Sequence, residues 1–144
     1  MIDPELKFKK PFQISEKEKK KIIDATKKIL ESKESILFAY LFGSFAEGLT
    51  FHDIDIALFG KEGFSLSALI ELSNLLESEI NYPFDLVDLK AISPGFQMEI
   101  FSKGILLFSK DENLRTDFIE SVCLRYREYA HFRNLCLGIE GSLY

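Results

Sequence analysis

The stretch LFGSFAEGLTFHDIDIALF at 41–59 constrains the fold more than any other part of the chain. Its second half alternates strictly, with the two aspartates Asp53 and Asp55 on one side and branched aliphatic residues on the other. A period of two predicts a β-strand. The run SILFAYLF at 35–42 is short and rich in aromatic and branched residues, so it predicts a buried strand that ends at Gly43.

The rest of the chain alternates between helical and extended patterns. Ser15 and Glu18 have the spacing of a capping box before one helical pattern, and Ser109 and Glu112 repeat that spacing before the last one. The order α-β-β-α-β-α-β-α predicts an α+β chain with a small sheet and helices packed against it. The predicted helices cover 16–32, 65–80, 93–101 and about 109–137, and the predicted strands cover 35–42, 53–59, 84–89 and 105–108.

Length and composition limit the chain to one domain. Its 144 residues, 47% of them hydrophobic, supply apolar side chains for a single core. The first residues contain two prolines and several lysines without any sustained periodicity. We therefore expect an extended, weakly ordered arm at 1–14, one domain at 15–137 and a C-terminal tail at 138–144.

Charge and cysteine content limit which cellular environment and which binding partners we expect. The net charge of −5 lacks the basic excess that holds a long phosphate backbone, which disfavours a polymeric nucleic-acid template. The charged start has no signal-peptide core, and no apolar run approaches the roughly 20 residues of a membrane span. The expectation is a cytoplasmic protein. Cys123 and Cys136 are too few for a disulfide scaffold, which predicts free, buried thiols.

The acidic residues form a candidate metal site. Asp53 and Asp55 lie two residues apart on a strand, which places both carboxylates on one face, where they repel each other unless a cation neutralises them. Hard oxygen ligands of this kind suit Mg²⁺, and Mn²⁺ as well. Asp85 and Asp88 lie on opposite faces of the strand at 84–89, so only one of them can join the pair. Three carboxylates around two cations fit an in-line displacement at phosphorus.

A second feature, Gly43-Ser44, complements the acids. A glycine at a strand end lets backbone N–H groups turn toward a ligand, and a helical turn over 45–48 would favour a phosphate at its start. The Ser44 hydroxyl can donate to a phosphate oxygen. Gly-Ser pairs and Asp-x-Asp triplets are each common in ordinary proteins, but their conjunction on consecutive strands is much more specific.

These motifs together resemble a known family. GSFAEG at 43–48, DID at 53–55 and FDLVDL at 84–89 are similar to the motifs of minimal nucleotidyltransferases in the DNA polymerase beta superfamily. The resemblance covers about 20–137. It implies a mixed-sheet nucleotidyltransferase fold that is polymerase beta-like, a Mg²⁺ cofactor and a nucleoside triphosphate donor such as ATP. The implied reaction transfers the nucleoside monophosphate to an acceptor hydroxyl.

The resemblance also implies roles for single residues. Gly43 and Ser44 match the nucleotide-binding pair of the family, and Asp53 and Asp55 match its catalytic metal pair. Asp85 matches the third carboxylate, which is both catalytic and metal-binding.

The chain departs from the family pattern in the Gly-Ser segment. Phe45 and Glu47 stand where the family often has Arg or Lys, which predicts weaker affinity for phosphate. The loop between Ser44 and Asp53 is also shorter than is usual in the family, with eight residues, 45–52.

Four further residues can be considered for anion binding. His52 adjoins the first metal aspartate, and Lys90, Lys103 and Arg115 are long basic side chains. A structural or merely solvated role is the competing interpretation for each of them, and it is the one we favour from the sequence.

The acceptor is the least constrained part of the hypothesis. Only 55 residues follow Leu89, and they are used by a strand and flanking helices. The acceptor is therefore expected on a partner protein, on a second copy of the chain or on a small molecule. The family resemblance implies an antitoxin-like subunit that neutralises a helical, ribonuclease-like partner by adenylylating it. The alternatives are transfer to a metabolite or antibiotic, and a catalytically weak binding subunit, which Phe45 and Glu47 would favour.

Overall fold

The computed structural model describes residues 10–48 and 50–136, and all structural statements refer to these residues. Eleven elements follow one another along the chain. The helices are α1 (Glu16–Glu31), α2 (Gly43–Glu47), α3 (Leu66–Ile80), α4 (Pro94–Lys103) and α5 (Glu112–Cys136). The strands are β1 (Phe12–Gln13), β2 (Phe38–Phe42), β3 (Thr50–Phe51), β4 (Ile54–Phe59), β5 (Phe84–Asp88) and β6 (Ile105–Ser109).

The main sheet has four strands in the order β5-β4-β2-β6. Strand β2 runs antiparallel to both β4 and β6, whereas β4 and β5 are parallel. The sheet is therefore mixed, and the predicted α+β fold with flanking helices is confirmed. A separate two-stranded sheet pairs β1 with β3.

The alternation in β4 divides the core between the two faces of this sheet. Ile54, Ile56 and Leu58 are fully buried on the face that also contains apolar residues of α1 and α3. Ala57 and Phe59 are buried on the opposite face, beside aromatic residues of α4 and α5. Because both faces are covered, β4 is fixed in register, and a slip by one residue would bring Asp55 to the face of the buried isoleucines.

Local capping explains where most helices begin. The Ser15 hydroxyl accepts a hydrogen bond from the backbone N–H of Glu18 at 3.1 Å, as the capping-box spacing predicts. Ser65 and Ser93 cap α3 and α4 in the same way. The prediction for the last helix is wrong in detail, because Ser109 is the last residue of β6 and the Asp111 carboxylate accepts from the Leu114 N–H instead.

Two short strands and one short helix were not predicted as such. Residues 1–9 of the predicted arm lie outside the described residues, but Phe12–Gln13 forms β1 and pairs with β3. The predicted tail at 138–144 lies wholly outside them.

Among the described residues, Cys123 is a free thiol of intermediate burial, and none of the helices is both long and apolar enough to cross a membrane.

Candidate active site

The two motif aspartates lie where β4 begins, next to the end of β2. Asp53 immediately precedes the strand, and Asp55 is its second residue. In the antiparallel pair Asp55 is the partner of Phe42, the last residue of β2. In the parallel pair it is the partner of Asp85 in β5. The alternation of β4 and the parallel register of β5 therefore place Asp55 and Asp85 side by side.

Asp53, Asp55 and Asp85 form a carboxylate cluster, which we call the aspartate triad. Each residue offers one carboxylate oxygen, and the three oxygens lie within 4.8 Å of one another. Asp53 and Asp55 are of intermediate burial, whereas Asp85 is exposed. Three converging hard oxygen donors fit a divalent cation, because a cation removes the repulsion between the carboxylates and water can complete its coordination. The residues present thus fit the metal that the family resemblance implies.

Asp88, the alternative third acid, lies on the opposite face of β5 and has another role. One of its carboxylate oxygens accepts a hydrogen bond from the Phe64 N–H, and the other accepts from the Lys90 N–H, each at 3.0 Å. Gly63, at φ +70°, lies against the same carboxylate. Asp88 is buried and holds the loop before α3 to the end of β5. The geometry thus brings Asp85, and not Asp88, to the motif aspartates.

Gly43 allows the chain to turn directly over the triad. Its φ of +77° lies in the left-handed region, which side chains disfavour. A Cβ atom at this position would also overlap the Asp55 carboxylate oxygen. Both observations require glycine here, and they explain how the start of α2 lies against Asp55. Ser44, the next residue, is exposed in the first turn of α2.

A lysine that the sequence analysis did not select holds α2 in place. The Lys19 ammonium, on α1, donates hydrogen bonds to the carbonyl oxygens of Ala46 at 3.2 Å and Gly48 at 2.8 Å. It also lies 5.5 Å from the centroid of the Phe45 ring. A cation near carbonyl groups at a helix C-terminus is favourable. Lys19 therefore fixes the short helix that carries the Gly-Ser pair.

The two departures from the family pattern have different structural consequences. Phe45 is fully buried, and its ring packs edge-on against Phe51 with centroids 4.7 Å apart. Position 45 thus faces the core, so the Phe45 side chain contributes to packing and adds no charge near the triad. Glu47 is exposed and lines a cleft beside Gly43. Of the two departures, only Glu47 adds a charge next to the candidate site.

This cleft, which we call the α4 cleft, lies between the start of α2 and helix α4. It has a volume of about 200 Å³. The rings of Phe42 and Phe96 meet edge-on in its wall, with centroids 5.5 Å apart. Its polar lining comes from Glu47, Glu99 and Lys103. A larger cavity of about 380 Å³, lined by α3 and by residues between α1 and β2, contains none of the three acids.

The four further anion-binding candidates are not equally placed. His52 is exposed at the loop end before Asp53. The Lys90 ammonium donates to the Lys61 carbonyl and lies over the Phe59 ring. Of the three basic candidates, Lys103 is the one that lines the α4 cleft.

Arg115 belongs to a separate cluster on α5. Its guanidinium donates two hydrogen bonds to the Glu112 carboxylate, at 2.6 and 2.8 Å, and one to the Tyr40 hydroxyl at 2.7 Å. The hydrogen bond from Arg115 lowers the pKa of Glu112 to about 2, and burial raises the pKa of Tyr40. These contacts secure α5 against β2, so Arg115 has a structural role.

Comparison with known proteins identifies the family and the fold. The family model of polymerase beta nucleotidyltransferases matches residues 24–113, which is more than half of the chain. No curated protein matches the chain significantly.

Several solved structures share the fold. A chain in a structure described as a tri-AMPylated Shewanella oneidensis HEPN toxin in complex with MNT antitoxin has a TM-score of 0.69 at 23% identity, over 83% of this chain and 96% of that one. A chain of the toxin–antitoxin MntA-HepT has a TM-score of 0.65 at 25% identity, over 86% and 97%. A chain of a toxin–antitoxin structure with AMP-PNP has a TM-score of 0.61 at 21% identity, over 89% and 100%.

The expected enzyme class, fold and family are therefore confirmed together. The model match covers all three acids and the Gly-Ser pair, and the fold of the solved relatives extends over most of the chain. This chain belongs to the polymerase beta nucleotidyltransferase family, as a minimal nucleotidyltransferase.

Proposed function

We propose that the chain transfers AMP from ATP to a hydroxyl group of a partner protein, with Mg²⁺ as cofactor. The observation that carries this proposal is the aspartate triad, whose three oxygens converge within 4.8 Å beside Gly43 and Ser44. Acids so close together are costly without a cation. Their position next to the Gly43 turn and the exposed Ser44 suits a phosphate-bearing ligand.

The triad residues would hold the cation through their carboxylate oxygens. When bound, Mg²⁺ would neutralise phosphate charge and acidify the attacking hydroxyl, and Mn²⁺ could replace it. Asp53 and Asp55 come from one strand end and Asp85 from its neighbour, so the ligands lie on rigid elements. This placement keeps their geometry fixed between turnovers.

The donor phosphates would lie over the turn at Gly43. The Ser44 hydroxyl donates to a phosphate oxygen, and the backbone N–H groups at the turn supply further donors. Because Gly43 has no side chain, the phosphate chain can approach the triad closely.

The reaction is a single displacement at the α-phosphorus. The acceptor oxygen forms a bond to that phosphorus while the bond to the bridging oxygen of the β-phosphate breaks. Pyrophosphate leaves, and the acceptor's proton passes to the Asp85 carboxylate. Asp85 suits this role because it is the exposed member of the triad and stands on β5, an edge strand of the sheet.

Two observations support a protein acceptor. Asp85 lies at an exposed edge, where another chain can approach the triad. Solved structures with the same fold include one with a tri-AMPylated toxin and one with AMP-PNP, which supports a partner protein and an adenine nucleotide.

The test is transfer of label from ATP labelled at its α-phosphate. The full chain is incubated with Mg²⁺, labelled ATP and a purified helical, ribonuclease-like candidate partner, and a parallel reaction contains small hydroxylated metabolites. We expect label on the protein partner. Label on small molecules alone would favour a metabolite or antibiotic nucleotidyltransferase. Binding of the partner without any transfer would favour a catalytically weak binding subunit.

A further inference from the structure

Four positions at the sheet edge that contains the triad follow one another in a fixed order. Three of them are charged residues, and the fourth is the Gly43 turn. Across the strands β5, β4, β2 and β6, these positions are Asp85, Asp55, Gly43 at the end of β2, and Lys103 just before β6. The acids therefore stand on one side of the Gly43 turn, and a lysine stands on the other. Among these four positions, the two acids lie on the β5 side of the turn and the lysine lies on the β6 side.

The position of Lys103 results from close packing at the end of α4. Lys103 is the last residue of α4, and the N–H of Gly104 donates to the Ile100 carbonyl at 2.7 Å. A Cβ on Gly104 would overlap that carbonyl and lie 3.0 Å from the Leu41 carbonyl in β2. The helix end is thus pressed against the last residues of β2. Since Gly43 directly follows β2, Lys103 and Gly43 line the same cleft.

Within the α4 cleft, Lys103 is the source of positive charge. Among the described residues that line it, Lys103 is the one base, and Glu47 and Glu99 are acids. The Lys103 ammonium lies 3.8 Å from the Glu99 carboxylate one helical turn earlier. The side chains of both are largely exposed, so water screens their attraction and the ammonium can turn toward a ligand. Lys19, another lysine near the Gly43 turn, is engaged with the carbonyl groups at the end of α2.

We propose that Lys103 binds the β- and γ-phosphates of the donor nucleotide, the group that leaves as pyrophosphate. The inference rests on the proposed function and adds a residue to the same site. In an in-line displacement the acceptor and the leaving group lie on opposite sides of the reacting phosphorus. With the acceptor at Asp85, the leaving pyrophosphate lies beyond Gly43, on the side of Lys103.

The same geometry assigns a positioning role to Glu99. Its carboxylate competes with the phosphates for the Lys103 ammonium and holds it at the cleft when no nucleotide is bound. Removing this carboxylate should free the ammonium and lower the negative charge of the cleft.

The test is calorimetric titration of the full chain with AMP-PNP and with AMP, each with Mg²⁺ at low salt. A charge-assisted contact predicts that Lys103→Gln weakens AMP-PNP binding by about tenfold and AMP binding by less than about twofold, since AMP lacks both outer phosphates. Lys103→Arg should keep AMP-PNP binding. Glu99→Gln should tighten it by about twofold, in line with a screened surface charge. Lys27→Gln, an exposed lysine on α1, is the matched control and should change neither affinity.

The possible outcomes separate this inference from the proposed function. If Lys103→Gln behaves like the control, or weakens AMP-PNP and AMP equally, the assignment of Lys103 is wrong. The Asp53→Asn/Asp55→Asn variant is titrated in parallel. If it binds Mg²⁺ with AMP-PNP as well as the wild type does, the proposed metal and nucleotide site itself fails, and Lys103 fails with it. If the aspartate variant loses affinity for AMP-PNP and Lys103→Gln does not, only the assignment of Lys103 is wrong.

Discussion

Asp55 and Asp85 are direct partners in the parallel pair β4 and β5, so two acids that are 30 positions apart in sequence stand side by side at one sheet edge. Asp53 completes the triad from the residue before β4. The relationship depends on the register of two hydrogen-bonded strands and not on a flexible loop. The triad is therefore a preformed feature of the fold.

The first prediction concerns metal binding by the motif pair. Asp53→Asn/Asp55→Asn leaves one carboxylate of the three, so the variant should lose most Mn²⁺ affinity, because hard cations need charged oxygen ligands. Titration of wild type and variant with Mn²⁺, followed by electron paramagnetic resonance, measures this. Equal affinities would show that the triad is not a metal site.

The second prediction separates Asp85 from Asp88. Asp85→Asn should abolish AMP transfer with little loss of stability, since the residue is exposed. Asp88→Asn should retain transfer but lower the free energy of unfolding by about 1–3 kcal/mol, because its buried carboxylate accepts two backbone hydrogen bonds. Urea unfolding and a transfer assay on both variants check this. The reverse pattern would contradict the assigned register.

The third prediction concerns the Gly43 turn. Gly43→Ala places a Cβ against the Asp55 carboxylate at a φ of +77°. The left-handed conformation alone should cost about 1–2 kcal/mol of stability, and displacement of Asp55 should weaken Mn²⁺ binding as well. Gly95→Ala is the matched control, because a Cβ there would have no neighbour within 4 Å. Equal metal affinity in both variants would show that Gly43 does not shape the triad.

The fourth prediction follows from the acidic lining of the α4 cleft. Glu47→Arg reverses a charge beside Gly43 and should tighten ATP binding by about 1–2 kcal/mol if the guanidinium reaches the phosphates. Calorimetry with and without Mg²⁺ measures the change. Unchanged affinity would place the Glu47 side chain in solvent, away from the donor. Tight binding of ATP by the wild type without Mg²⁺ would contradict a site in which the metal holds the triphosphate.

The fifth prediction concerns pH and the Arg115 cluster. The hydrogen bond from Arg115 lowers the pKa of Glu112 from 4.5 to about 2, so this contact stabilises the folded state above pH 4.5 and is lost as the pH falls toward 2. The wild type should therefore have a higher Tm than Glu112→Gln at pH 6, and the difference in Tm should shrink below pH 4.5. Thermal unfolding at several pH values checks this. A pH-independent difference would show that Glu112 acts through packing alone.

Sequence periodicity was sufficient to predict the main sheet strands, the longer helices and the face that carries the motif acids. The period of two over 53–59 separates the two aspartates from the buried isoleucines, and the sheet follows this division. The choice of Asp85 also followed from alternation, once the family match supplied the register.

Contacts between distant segments could not be predicted in the same way. Lys19 is 27 residues from Ala46, and no local pattern connects them. The core-facing position of Phe45 depends on the turn at Gly43, and the place of Lys103 depends on how α4 packs against β2. Two-residue strands such as β1 are too short to show any periodicity.

Transfer of AMP to a protein is tested most directly by intact-mass measurement of the proposed helical partner after incubation with ATP, Mg²⁺ and this chain. We expect the partner to gain the mass of one or more AMP groups with the wild-type chain, and to gain nothing with Asp55→Asn or after removal of divalent metal. An unmodified partner after incubation with the wild-type chain, or equal modification by Asp55→Asn, would contradict transfer by the aspartate triad.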